Sequence, residues 1–167
     1  MHIVYLLSVS IHVLAATVWI GGMLFLTLVV VPWLRGGDRA RAAALLEATG
    51  LRFRRITWTA FAILVATGAV NLSIHGVRLG DFADPEWRAA PFGRTLCEKL
   101  VVFAAVAVLG AVHDFVVGPR ATAAAQLDPD SPRARRLRAA ASWMGRTSLL
   151  LGLVILALAV SLVRGSW

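Results

Sequence analysis

The sequence has few of the residues on which disulfide frameworks and enzyme active sites depend. Its one cysteine, Cys97, excludes an internal disulfide and a cysteine-rich metal site. It has nine acidic residues against 17 Lys and Arg, and residues 3–34 contain no charged side chain of either sign. No Ser/His/Asp arrangement, phosphate-binding loop or paired carboxylate set is visible. We therefore predict no catalytic residues.

Apolar residues, by contrast, are abundant and occur in long blocks. Hydrophobic residues make up 59% of the 167 positions, and a helix needs about 20 apolar residues in succession to cross a bilayer. Four blocks meet this requirement and predict spans at about 3–34, 56–76, 95–118 and 143–163. We expect an all-α integral membrane four-helix bundle, with residues 1–167 forming one membrane domain.

The net charge of +8 comes from arginines in the connections between the blocks, so we predict no nucleic-acid partner. The first and third connections are rich in arginine, whereas the second offsets its few arginines with acidic residues. By the positive-inside rule, the first and third connections are cytoplasmic and both termini lie outside. No Lys or Arg precedes the first block, which is also too long for a signal peptide, so we expect it to remain in the mature protein.

The first connection predicts an additional helix. Gly36 and Gly37 break the first helix, and Asp38 can cap another that runs to about Gly50. Its apolar residues fall on one side and its arginines on the other. We predict an amphipathic helix on the cytoplasmic leaflet, where basic residues meet anionic lipid. A solvated connector is the alternative.

Polar side chains inside the blocks indicate a site. His12 shares a helical face with Trp19 in the first block, and Asn71 and His75 lie along one face of the second. These faces should point into protein, because lipid would leave the polar groups unpaired. Counted from the cytoplasmic ends of their helices, His12, His75 and Lys99 lie at about one depth near the outer surface.

Two histidines on different helices at one depth are a suitable ligand pair for a metal ion or for haem iron. The alternative is a pair of interfacial histidines satisfied by water and Asn71. A second polar group lies near the inner surface, where Asp114 and Arg146 can pair. His113, beside it, is either a further metal ligand or a hydrogen-bonding residue of the bundle.

The most specific motifs resemble a known family, the copper resistance protein D (CopD) family. The residues that carry the resemblance are the run from His12 through Trp19 to Gly21-Gly22, Thr67-Gly68, Phe92-Gly93-Arg94 followed by Lys99-Leu100, and Pro119-Arg120. The resemblance implies a bacterial inner-membrane protein that takes part in copper uptake or tolerance.

On this interpretation the protein binds or transports copper through a histidine site near the periplasmic face. His12 and His75 ligate the ion, Asn71 and Glu98 orient or supplement them, and Lys99 or Arg94 tunes the site. The three methionines form no Met-x-x-Met run of the soft ligands that Cu(I) favours, so imidazole sites for Cu(II) or haem remain open.

A second resemblance, through Lys99 and His113, is to the HemJ-type protoporphyrinogen oxidases, which bind b-type haem. It implies a redox protein that exchanges electrons with a quinone or a porphyrin. The residues assigned to haem b are then the ligands His12 and His75, the packing residues Trp19 and Phe103, and the propionate partners Arg94 and Lys99.

A third hypothesis is a structural subunit whose histidines only pack. The fourth span offers almost no polar residues, so transport would require a homodimer or a larger membrane complex. The expected partners are the lipid bilayer, such a complex, and a periplasmic donor of metal or electrons. Copper handling implies no enzyme, whereas haem binding implies an oxidoreductase.

Overall fold

The computed structural model describes residues 2–35 and 39–164, with side chains described for 2–33 and 48–164. These residues are almost entirely helical and contain no strand. The helices are α1 (His2–Phe25), α2 (Val31–Arg35), α3 (Arg39–Ile74), α4 (Pro85–Ala89), α5 (Pro91–Val112), α6 (Gly118–Leu127) and α7 (Pro132–Arg164). π-helical turns join α1 to α2 and α5 to α6, and a 3-10 turn precedes α4.

Four helical stretches of the described chain are long and apolar enough to cross a membrane: His2–Trp33, Ala48–Ile74, Pro91–Leu127 and Pro132–Arg164. Large apolar side chains cover the outside of the bundle, as Leu14 (63% exposed), Val101 (68%) and Leu150 (64%) illustrate. Such a surface suits lipid tails, which are as apolar as leucine. The predicted all-α membrane bundle is confirmed.

The helix predicted after Asp38 is not a separate element. α3 runs unbroken from Arg39 through Gly50 into the second span. A lone glycine costs a helix only about 1 kcal/mol, which packing elsewhere can offset, and no proline interrupts this stretch. Asp38 and the side chains that would form the amphipathic face lie outside the described residues.

Two prolines lie within helices that continue past them. Pro32 follows the π-turn Leu26–Val30, and Pro119 follows the π-turn His113–Val117. Proline has no N–H to donate, and its ring clashes with the carbonyl four residues earlier in an α-helix. The wider hydrogen-bond spacing of a π-turn accommodates both defects. The helix of the third span therefore does not stop at Gly118 but continues into α6.

The two halves of the bundle are built alike. α1 packs mainly on α3, and α5 packs mainly on α7, so each half is a helical hairpin. The two prolines are 87 residues apart, and the same offset takes His12 to Lys99 and Trp19 to Val106. Trp19 and Val106 are the largest fully buried side chains of the described chain. His12 and Lys99 therefore occupy equivalent positions in the two hairpins.

An apolar core fills the middle of the bundle. It consists of Ala15, Trp19, Ile20, Ala60, Phe61, Leu64, Val106 and Ile155. The Phe61 ring contacts Trp19 edge-to-face at 5.0 Å between centroids and contacts Phe103 at 5.2 Å, which links α1, α3 and α5. Such aromatic pairs contribute about 0.5–1.5 kcal/mol each beyond their buried area.

The connection between α3 and α5 folds against the bundle at the end where α1 begins. Gly76 follows α3 with a φ of 77°, a conformation that favours glycine. The Trp87 ring packs on Phe82 and Phe92, at 5.2 Å and 6.4 Å between ring centroids. A Cβ atom on Gly93 would collide with the Trp87 carbonyl oxygen. The glycine of the Phe-Gly-Arg motif thus allows close packing of backbone on backbone.

Candidate functional site

His12 is half-buried between α1 and α3, and its imidazole is held in a defined orientation. Its Nδ1 lies 2.7 Å from the Thr67 hydroxyl. That hydroxyl donates its only proton to the Ile63 carbonyl at 2.6 Å, so it accepts the hydrogen bond from His12 Nδ1–H. The Nε2 lone pair is then available, and a hydrogen bond on the opposite nitrogen is the usual support of a metal-ligating histidine.

Ser8 strengthens the same contact between α1 and α3. It is buried, and its hydroxyl donates to the Thr67 carbonyl at 3.3 Å. Thr67 therefore receives hydrogen bonds at both its hydroxyl and its carbonyl from α1. These bonds fix the position of His12 along the axis of α3.

Two further polar groups lie at this end of the bundle. Lys99 of α5 is within electrostatic range of His12, which agrees with the common depth predicted for the two residues. Asn71 lies one helical turn beyond Thr67, and its Oδ1 is buried without a hydrogen-bond partner in the described part of the chain. An unsatisfied buried acceptor costs about 1–3 kcal/mol. A bound cation or water at this oxygen would remove that cost.

The structure does not bring His75 to His12. His75 is exposed, its ring contacts Tyr5 at 5.3 Å, and its Nδ1 lies 2.8 Å from the Asn71 carbonyl oxygen. Tyr5 precedes His12 by seven residues, or about 10 Å along a helix. In this arrangement the two imidazoles do not form a ligand pair for one copper or haem iron. The common depth predicted for the two histidines was counted along each helix separately, and it does not include how far α1 and α3 are shifted against each other.

The remaining predicted residues have other contacts. Arg94 Nε and Glu98 Oε1 form an ion pair at 3.0 Å between exposed side chains, which contributes about 0.5 kcal/mol or less. Trp19 lies in the apolar core against Phe61. Lys99, Asn71, His75, Arg94 and Glu98 thus all lie at the same end of the bundle as His12, but His75 contacts Tyr5, and Arg94 pairs with Glu98.

A second polar cluster joins α3 to the π-turn at the opposite end. The Asp114 carboxylate accepts a hydrogen bond from the Trp58 indole N–H at 3.0 Å and lies 2.8 Å from His113 Nδ1. Arg54 donates to the Asp114 backbone carbonyl at 3.2 Å. The Asp114 carboxylate, near the end of an apolar span, thus has hydrogen-bond partners at both oxygens. His113 Nε2 has no protein partner in the described chain.

The predicted pair of Asp114 with Arg146 is not formed. Arg146 is exposed, and its guanidinium lies over the Trp143 ring at 5.4 Å. Sequence analysis overlooked Trp58 and Arg54, although both lie on one face of α3 at helical spacing. A tryptophan one turn from an arginine was the available signal, because an indole N–H inside a membrane needs an acceptor.

We predict that Asp114→Ala lowers the free energy of unfolding by about 1–3 kcal/mol, because it leaves the half-buried indole N–H of Trp58 without its acceptor. Unfolding in mixed micelles of dodecyl maltoside and SDS, followed by circular dichroism, measures the change. Glu98→Ala, which removes an exposed carboxylate, is the control and should change stability by about 0.5 kcal/mol or less. Equal losses in both variants would contradict a structural role for Asp114.

Across residues 2–35 and 39–164 no group of three or more His, Cys, Asp or Glu side chains is placed to hold a metal ion. A metal at His12 therefore needs ligands of another kind. The Asn71 amide oxygen, water and a group from a second chain are the available types.

The comparisons with known proteins identify the family. The sequence model of the family "Copper resistance protein D" matches residues 47–162, which include the Phe92-Gly93-Arg94 motif but not His12. A protein of Aquifex aeolicus (strain VF5), described as uncharacterized, is 31% identical over 160 residues that cover 95% of each chain. No solved structure matches with significance. The four spans and the family match agree, and the chain belongs to the copper resistance protein D family of membrane proteins.

Proposed function

We propose that this copper-resistance-related membrane protein binds copper through His12. The observation that carries the proposal is the half-buried imidazole, which Thr67 holds at Nδ1 and whose Nε2 has no partner among the residues that the structure describes. Imidazole nitrogen is a good ligand for copper. The candidate for a second ligand is the Asn71 Oδ1 atom, which is buried without a hydrogen-bond partner in the described chain and lies on α3 one helical turn beyond Thr67. By the positive-inside rule, we infer that this end of the bundle faces the periplasm.

Lys99 sets the strength of the proposed site. The Lys99 ammonium group is positively charged and within electrostatic range of His12, so it repels a copper ion bound there. A cation at His12 therefore binds less tightly than the imidazole alone would allow. Weak binding suits an ion that is taken up and released again, and it argues against a permanently held structural metal.

The core favours binding over conduction by a single chain. Between His12 and the Asp114 cluster, the bundle is filled by apolar side chains that include Trp19, Phe61 and Val106. An ion needs polar ligands along its path through a membrane protein, and this described core has none. Movement of copper across the bilayer would therefore need a second copy or another membrane protein.

Copper titration of the detergent-purified protein tests the proposal. Cu(I) under anaerobic conditions and Cu(II) in air are each competed against a colorimetric chelator, with metal analysis of the same samples. We expect one copper per chain, and a loss of affinity of about 100-fold or more for His12→Ala, since disturbing even a supporting residue costs about 10–100-fold. His75→Ala is the matched control and should bind normally.

Two results would count against copper at His12. Unchanged affinity of His12→Ala would exclude it as a ligand, and equal losses in both variants would restore the predicted His12–His75 pair. The absorption spectrum of the same preparation tests the haem b alternative. A Soret band with sharp α and β bands after dithionite reduction would favour that alternative.

A further inference from the structure

A groove lined by arginines lies at the end of the bundle opposite His12. Its volume is about 780 Å³, and it lies between α6 and the start of α7. The lining residues are Arg120, Ser131, Pro132, Arg133, Arg136 and Leu137. We call this feature the arginine groove. Its three guanidinium groups belong to two different helices.

Close helix packing fixes the arginine groove. Ala134 at the start of α7 is completely buried, and Ala121 and Ala124 of α6 are each 9% exposed. These small side chains let α6 and α7 lie against each other. Arg120 is thereby held beside the first turns of α7 by the backbone, so the arrangement does not depend on chance side-chain positions.

The three guanidinium groups have no carboxylate partner among the described residues. Their neighbours on α7 differ, because Arg135 and Arg138 donate to the backbone carbonyls of Asp130 and Pro129. Ser131 is also engaged, since its hydroxyl donates to the Asp128 carbonyl. Three like charges around one groove repel each other, and an anion bound between them would offset that repulsion.

The position of the groove indicates which anion it binds. Arg120 follows closely on the π-turn His113–Val117, where the apolar part of the third span ends. One large apolar side chain, Leu137, also lines the groove. The groove thus offers guanidinium groups and apolar contacts together, close to the membrane surface.

We propose that the arginine groove binds the phosphate headgroup of an anionic phospholipid. Guanidinium groups bind phosphate oxygens in bidentate geometry, which gives them specificity that a lysine lacks. The lipid's apolar portion can lie against Leu137, which is on the groove wall. The proposal is independent of copper, because the groove and His12 lie at opposite ends of the bundle.

Binding of phosphatidylglycerol and phosphatidylcholine to the delipidated full-length protein tests the proposal by native mass spectrometry. The test variant combines Arg120→Gln, Arg133→Gln and Arg136→Gln. The control combines Arg135→Gln, Arg138→Gln and Arg146→Gln, which removes the same charge outside the groove. Each basic residue near a charged membrane surface contributes roughly fivefold to affinity. We therefore expect a loss of about 100-fold for phosphatidylglycerol in the test variant and a much smaller loss in the control.

A variant with lysine at all three groove positions covers the case in which the glutamine variant fails to fold. It keeps the charge and loses the bidentate geometry, so phosphatidylglycerol affinity should fall by about tenfold with little change in thermal stability. Equal losses in test and control variants would overturn the proposal, and so would equal affinity for phosphatidylcholine. Displacement of the lipid by millimolar inorganic phosphate would instead assign the groove to free phosphate.

Discussion

Trp19→Ala should lower the free energy of unfolding by about 3 kcal/mol, the largest effect that we expect of a single apolar truncation. Trp19 is 2% exposed, and its ring packs on Phe61. A Cβ on Gly152 of α7 would lie 3.7 Å from the edge of the indole. Truncation leaves a cavity among three helices. In a bilayer this lost packing is the main cost, because lipid is as apolar as the core.

Titration of the folded protein with SDS in mixed micelles measures the effect of Trp19→Ala. Trp33→Ala is the matched control, because Trp33 is 71% exposed and its loss should change stability by about 0.5 kcal/mol or less. Equal effects of the two truncations would show that Trp19 is not a packing centre. A loss of copper binding without a loss of stability would instead assign Trp19 to the metal site.

Gly93→Ala should destabilise the protein by about 2 kcal/mol and loosen the connection between α3 and α5. The new Cβ meets the backbone carbonyl of Trp87, which cannot move aside without shifting α4. Overpacking of this kind costs about 1–3 kcal/mol. Faster proteolysis within residues 76–90, together with the SDS titration, would report the change.

Gly110→Ala is the control on the same helix, and it should raise the free energy of unfolding where Gly93→Ala lowers it. A Cβ atom at Gly110 would have no neighbour within 4 Å among the described residues of other helices, so alanine fits there without a clash. Alanine should therefore stabilise α5 by up to about 1 kcal/mol through helix propensity alone. If Gly93→Ala were as benign as Gly110→Ala, the glycine of the family motif would need a functional explanation.

The copper proposal is compatible with both packing predictions, because Trp19 and Gly93 stabilise the fold and neither is a proposed copper ligand. Trp19 and Gly93 belong to motifs that resemble the family, and the structure gives each a packing role. His12 is different, because Thr67 positions its ring at Nδ1 and its Nε2 has no partner in the described part of the chain. The residues of one motif can thus serve different purposes.

The number of spans and the helical class were determined by the sequence alone. The bilayer fixes how many apolar residues a helix needs, so the length and composition of a block decide whether it can span. The matching depth of His12 and Lys99 was also predictable, because each lies at a fixed distance from a proline along one helix. These properties depend on residues within a single helix.

Only the tertiary structure decided which side chains meet. The relative shift of α1 and α3 along their axes brings His12 to Thr67 and His75 to Tyr5. The packing of α3 on the second π-turn brings the Trp58 indole to the Asp114 carboxylate. A shift of two helical turns leaves the apolar pattern of each helix unchanged while it replaces every contact between them. The spans could therefore be predicted from the sequence, whereas the partners of His12 could not.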